Sequence, residues 1–326
     1  RFKCDWSSDV CSSDLEHRAG PMLTLDGGLN AERQDNAYRR ERYAYSVPTN
    51  FLGTPARVQN DEDYSLNNVG AYLQAIINPT EKLKIIPAYR VDRFTGSTRL
   101  NLTGGTASLQ DYGWIDQPKL SVGYSLTPGT HLYANWGRSF QVLTGSREPA
   151  YLTPGQAAYK PSINTGKELG VKFKPMAGTE ARVAFWQQDA TDEVANMPST
   201  GTTVGLGQTR RKGIDFQLTS RVTDALTVWF SHALQEAKVV SAYTASGASL
   251  AGKEVFSTPR YISNLGAEYK ATPSLRLGVQ GRAQGNYYID DVNAQGKYGG
   301  FAVLDASLRY TISPATSLDL QLKNLT

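Results

Sequence analysis

The residues able to do chemistry are few. The histidines are His17, His131 and His232. A metal centre needs clustered ligands at fixed spacing, and none of the three has a second histidine at such a spacing. His131 and His232 fall in separate predicted strands and read as single strand or interface histidines. Cys4 and Cys11 sit in the opening stretch RFKCDWSSDVCSSDL. Seven residues apart, they suit a small disulfide loop in an exported protein; a metal site would need further ligands, and only His17 is nearby. No Gly-rich phosphate loop and no nucleophile elbow occurs, so a Ser/His hydrolase has no motif behind it. The sequence therefore predicts no enzyme, no metal centre and no cofactor. What remains is YRRERYAY, with Tyr38, Arg39, Arg40, Arg42, Tyr43 and Tyr45. Arginines among tyrosines suit an anionic, aromatic ligand, through charge-assisted hydrogen bonds and ring contacts. Trp114, Arg147, Tyr151, Tyr159, Tyr243, Tyr287 and Tyr288 are weaker candidates in or beside other polar stretches. The alternative for all of them is contact with lipopolysaccharide or with the membrane interface.

The elements that would carry these residues are strands. The 326-residue chain has net charge +4, 40% hydrophobic residues and mean hydropathy −0.41. So mild a charge does not call for a nucleic-acid partner. No run approaches the ~18 apolar residues of a membrane helix. A transmembrane β-barrel escapes that test, because alternation hides its apolar face. The start lacks the apolar core of a signal peptide. The chain is therefore either cytoplasmic or begins after its true start.

From Met22 onward, alternating runs meet short turns and then long polar loops. In FAVLDASLRYTI, Leu304, Ala306, Leu308, Tyr310 and Ile312 fall on one face, with Asp305, Ser307 and Arg309 on the other. LDLQLKNL sets Leu318, Leu320 and Leu322 against Asp319, Gln321 and Lys323. A helix cannot satisfy a period of two. Short turns at Asn78–Lys82, Thr127–Thr130, Lys174–Thr179, Thr223–Ala225, Ala271–Ser274 and Ser313–Ser317 carry Pro, Gly or Asp. Long loops span Asn36–Ser65, Thr95–Asp116, Gln141–Ile163, Ala190–Leu206, Ser241–Thr258 and Ile289–Gly299. The reading is about thirteen strands, most near the 9–11 residues that cross a bilayer. Strict sorting into short and long connections marks an outer-membrane barrel, with periplasmic turns and extracellular loops. The charged face would be costly in a sandwich core but suits a polar lumen. Pro87, inside LKIIPAYRVDRF, predicts a bulge.

At this point the sequence resembles the TonB-dependent outer-membrane receptors. AYRVDRF (Ala88–Phe94), HLYANWGRSF (His131–Phe140), KPSINTGKELGVKF (Lys160–Phe173), RKGIDFQL (Arg211–Leu218) and the final KNLT (Lys323–Thr326) carry the likeness. Val91 stands where an aromatic is usual, Ser162 where Glu is usual, and Lys212 and Asp215 are close substitutes. The resemblance implies an all-β, antiparallel transmembrane barrel. About 13 of the family's 22 strands would be present, without plug or TonB box, and the fragment would not close alone. It implies uptake of a scarce nutrient, foremost a ferric siderophore, energised through the TonB complex by way of the missing plug. Cobalamin, haem and oligosaccharides are alternative substrates. A passive porin and a soluble adhesin are competing classes. It also implies a multi-pass location in the Gram-negative outer membrane, among lipid and lipopolysaccharide. Ligand contact is then expected at Arg39, Arg40, Arg42, Tyr43, Trp114, Arg147, Tyr151 and Tyr287.

Residues 1–15 stand apart. The doubled Ser-Ser-Asp-aliphatic run and the change of composition near Leu15 resemble translated sequencing-adapter DNA. The expected organisation is a non-native or disordered segment at 1–15 and a partial barrel at 16–326.

Overall fold

The structure, a computed structural model, describes residues 2–5, 9–43, 57–109, 111–141, 151–152, 160–244 and 246–326. In chain order the strands are β1 (Phe2–Asp5), β2 (Asp9–Arg18), β3 (Leu23–Arg42), β4 (Arg57–Ile77), β5 (Leu83–Leu100), β6 (Gly105–Leu109) and β7 (Ile115–Thr127). Then come β8 (Thr130–Gln141), β9 (Tyr151–Leu152), β10 (Ser162–Met176), β11 (Thr179–Met197), β12 (Thr202–Arg221) and β13 (Leu226–Ser241). The last are β14 (Tyr261–Thr272), β15 (Leu275–Gln284), β16 (Tyr287–Tyr288), β17 (Lys297–Tyr298), β18 (Phe301–Ser313) and β19 (Thr316–Leu322). No helix among the described residues is long and apolar enough to cross a membrane, which says nothing of a β-barrel.

Each expected short turn lies between two of these strands, at 78–82, 128–129, 177–178, 222–225, 273–274 and 314–315. From Leu23 on, thirteen strands among the described residues have seven or more residues, as the alternation predicts. Their lengths differ from the expectation. β3, β4 and β12 have 20, 21 and 20 residues, roughly twice a membrane crossing. Much of the expected loop Asn36–Ser65 is therefore strand, as is most of Ala190–Leu206. Continued antiparallel pairing satisfies backbone groups that a polar loop would leave to water. Pro87 lies inside β5.

The chain divides into two compact units. The first comprises Arg1–Asn78, Ile86–Lys119 and Arg138–Ile163; the second, Pro79–Ile85, Leu120–Gly137 and Asn164–Thr326. In the first, β2, β3, β4 and β5 neighbour one another in that order. Within the segment 1–15, Asp9–Leu15 belongs to β2, which pairs with β3 from Asp9↔Arg33 to Arg18↔Thr24. Cys4 and Cys11 are backbone partners across β1 and β2. In the second unit the order is β10-β11-β12-β13-β14-β15-β18-β19.

Alternation gives each sheet one apolar and one polar face. On β3 and β4 the apolar face carries Leu25, Leu29, Leu73 and Val69, and Leu29 is 65% exposed. Exposed apolar side chains in register are expected where lipid, not a core, covers them. The same face turns polar at one level. The pair Ala31↔Val69 is followed by Arg33↔Asn67 and Asp35↔Ser65. In the second unit Phe185↔Ile214↔Leu234 is followed by Gln187↔Lys212↔Glu236. A band of apolar rungs thus gives way to charge across neighbouring strands.

Candidate functional site

The polar face of the first unit centres on a buried carboxylate. Arg90, Asp92 and Phe94 share this face of β5 by the two-residue period. Arg90 donates to Asp92 through Nε and Nη2, both at 2.7 Å, and Nη2 also reaches Asn30 at 2.9 Å. Gln117 on β7 donates to Asp92 Oδ2 at 2.6 Å. The Asp92 side chain is 2% exposed, so it needs these donors. Gly70 on β4 makes the room: a side-chain carbon there would lie 2.4 Å from both Asn30 Oδ1 and Asp92 Oδ1. Two residues further along β5, Phe94 meets Phe140 edge-on at 5.5 Å and packs on buried Leu66, Ala107 and Leu109.

Farther along the same hairpin lies the arginine–tyrosine cluster, and the strand divides it. β3 continues to Arg42, so these residues are strand and not loop. Tyr38, Arg40 and Arg42 take the polar face, that of Asn30; Arg39, Glu41 and Arg33 take the face of Leu29. Arg39 is held by Glu41 at 2.8 Å and Asp61 at 3.6 Å. Tyr43 donates to the other Glu41 oxygen at 2.8 Å, and this bond to a carboxylate raises the phenol pKa. Arg40 and Arg42 are exposed and meet no carboxylate among the described residues. Across the ladder, Tyr38 faces Glu62, which is buried and accepts from Asn60 at 3.0 Å.

The other candidates do not join them. Trp114 is exposed after a tight turn in which Asp111 accepts from the Gly113 N–H at 2.8 Å and pairs with Arg93. Arg147 lies outside the described residues. Tyr151 is a backbone partner of Leu109. Tyr287 pairs with Tyr298, and its ring covers Gly299. Tyr288 packs on a buried cluster of Leu206, Val239, Leu250, Val255 and Phe256 and lies under Lys297, which pairs with Glu254 at 2.8 Å. Leu250, Val255, Phe256 and Tyr288 thus pack with Leu206 of β12 and Val239 of β13 in one apolar cluster.

In the second unit the motif residues meet on the polar face. Arg182 donates to Tyr133 at 2.7 Å and to Glu168 at 2.8 Å, and a side-chain carbon at Gly170 would strike the Tyr133 ring at 2.4 Å. Trp186 donates to Asp215 at 3.0 Å over Gly213, and Trp229 covers Gly266. Each aromatic ring lies over a glycine of the next strand of the sheet. Single-residue reasoning did not single out Asp92, Gln117, Glu62 or Arg182. The signal was present as Arg-x-Asp and Glu-x-Gly at strand spacing.

No group of three or more metal-ligating side chains occurs among the described residues. Each unit is a set of antiparallel strands, apolar on one side and hydrogen-bonded polar on the other, the pattern of strands in a membrane β-barrel. The sequence matches the family described as TonB dependent receptor-like, β-barrel, over residues 7–325, and the chain belongs to that family. The family is one of outer-membrane transport receptors and not of enzymes. The metal-pseudopaline receptor CntO of Pseudomonas aeruginosa is 24% identical over 346 residues, spanning 98% of this chain and 47% of that protein. The probable TonB-dependent receptor BfrD of Bordetella pertussis is 24% identical over 294 residues, spanning 84% of this chain and 39% of that protein. The chain thus spans about half, or less, of the length of these relatives. Among solved structures, the unliganded ferric citrate transporter FecA superposes with TM-score 0.77 at 19% identity, over 97% of this chain and 49% of that one. The siderophore receptor PiuA from Acinetobacter baumannii superposes with TM-score 0.76 at 16% identity, over 98% and 52%.

Proposed function

We propose that this chain is part of the barrel of a Gram-negative outer-membrane receptor that captures an anionic metal chelate and imports it with energy relayed through TonB. A ferric siderophore is the leading substrate class. The family match across residues 7–325 carries the reading, and the relatives include receptors for metal–pseudopaline and siderophores. Binding and gated passage then need no covalent chemistry. In this reading the apolar rungs face lipid and the polar faces line the lumen. Arg40 and Arg42, on the lumen face beside Tyr38 and with no carboxylate partner among the described residues, are the best-placed cations for an anionic chelate. Arg39 is neutralised on the opposite face.

The test uses the complete receptor gene. Cells lacking it are supplied with radiolabelled ferric siderophores and other metal chelates, with and without TonB. TonB-dependent uptake of at least one chelate is expected. The double variant R40A/R42A should bind that chelate about tenfold or more weakly, at ~1.5–3 kcal/mol per charged hydrogen bond, and R39A should bind normally. Uptake independent of TonB would make the protein a passive pore. Unchanged affinity in R40A/R42A would remove the arginines from the site and leave the receptor reading standing.

A further inference from the structure

One rung below Arg40 lies a carboxylate that lacks a second partner. Glu62 is on β4, on the face of Asn68 and Gly70 by the two-residue period, and stands opposite Tyr38. Arg40 stands opposite Asn60, one rung nearer the connection between β3 and β4. Strands close in on both sides of Glu62. β3 pairs with β4 through this rung, and from β5 the Thr98 hydroxyl donates to the Asp63 carbonyl at 3.4 Å. Just after β5, the Asn101 N–H donates to the Asp61 carbonyl at 2.8 Å. Glu62 is therefore only 7% exposed. Its Oε1 accepts from Asn60 at 3.0 Å, while Oε2 is shut off from solvent and has no hydrogen-bond partner among the described residues. A buried carboxylate held by one neutral amide is under-compensated, and a cation is what completes it. Asp92, buried on the same face of the sheet, takes two bonds from Arg90 and one from Gln117. Arg40 and Arg42 do not serve Glu62 in that way, since both are exposed and meet no carboxylate among the described residues. Nor does a group of three or more metal-ligating side chains surround it among the described residues, so the matching partner is an organic cation.

We infer that Glu62 is a specificity-determining residue: it takes an ammonium group of the chelate while Arg40 and Arg42 take its carboxylates, so the receptor selects zwitterionic metal chelates over wholly anionic ones. The inference rests on the receptor reading above and names the substrate class of that same site. Glu62 and Arg40 are diagonal neighbours across the ladder, roughly 7–8 Å apart along the wall, a span that an amino-acid-derived chelate bridges. The glutamate side chain turns about staggered torsions, so a change of rotamer carries Oε2 toward the ligand while β4 stays paired. An ammonium there converts a lone buried charge into a hydrogen-bonded pair. An uncharged group in its place leaves the carboxylate under-compensated, which is the source of the selectivity.

The test is equilibrium binding by the full-length receptor in detergent, with two ferric chelates that differ by a single charge. One is the complex of Nα,Nα-bis(carboxymethyl)lysine, whose butyl arm ends in an ammonium; the other is the complex of its Nε-acetyl derivative. Wild type should bind the ammonium form about tenfold or more tightly than the acetylated form, as expected for one charge-assisted hydrogen bond. Glu62→Gln keeps the shape and can still accept from Asn60, and it should bind the two forms alike. Glu32→Gln, which changes another carboxylate on the same face, should keep the preference. Heat-modifiable migration verifies the folding of each variant. Equal binding of the two forms by wild type, or no binding of the ammonium form, overturns the inference. So does a Glu62→Gln receptor that keeps the preference. TonB-dependent uptake in cells reports separately on the reading beneath: its absence for every chelate sinks the receptor reading, whatever the two probes do.

Discussion

Replacing Asp92 with Ala tests whether the polar face is held from within. The substitution removes three hydrogen bonds, two from Arg90 at 2.7 Å and one from Gln117 at 2.6 Å. Breaking a buried ion pair costs ~3–5 kcal/mol when the surviving charge stays dry. The Arg90 side chain is 34% exposed, so water recovers part of its solvation and that cost falls to about 2 kcal/mol. Gln117 is buried and loses an acceptor, which adds about 1 kcal/mol. The expected loss is about 3 kcal/mol. It would be read from urea unfolding of the complete receptor in lipid vesicles, followed by heat-modifiable migration. The double variant D92A/R90L should be less destabilised than the sum of the single variants, because it removes the stranded cation. A D92A receptor within about 0.5 kcal/mol of wild type, the range of an ordinary surface change, would refute the reasoning. So would strict additivity in the double variant.

Two further outcomes follow from the strands of the second unit. Gly213→Ala should destabilise by about 1–3 kcal/mol, because its new carbon would lie 2.6 Å from the Leu234 backbone oxygen and 2.7 Å from the Trp186 ring. Gly170→Ala should cost less, since the Tyr133 ring it strikes can move; urea midpoints and tryptophan emission would separate the two. Glu236 lies beyond the apolar rungs, and its hydrogen bonds to Lys238 and then Lys212 lower its pKa to about 2 from 4.5. A lowered folded-state pKa means that the contribution is full above about 4.5 and is lost as pH falls toward about 2. The difference in thermal midpoint between wild type and Glu236→Gln should therefore hold at pH 6 and vanish near pH 2.

The period of two sufficed to place the strands. Leu304 through Ile312 could serve only a two-faced sheet, and the Pro- and Gly-bearing turns marked its short connections. The five motif stretches point to the family because each is a short local pattern, four of them on β5, β8, β10 and β12 and the last just after β19. Lengths were not legible. Nothing local in Asn36–Ser65 says that pairing continues to Arg42↔Arg57, since that depends on a partner strand satisfying the backbone.

The candidate site was legible as a composition and not as a geometry. YRRERY reads as one patch along the chain, but alternation sends Arg40 and Arg42 to one face and Arg39 and Tyr43 to the ion-paired other. The residues that hold the polar faces together, Asp92 with Gln117 and Tyr133 with Arg182, are 25 and 49 positions apart. Sequence alone thus determined the two-faced strand, because side-chain period is a local property of the backbone. Only the tertiary structure decided which polar groups meet, because register between strands sets those distances.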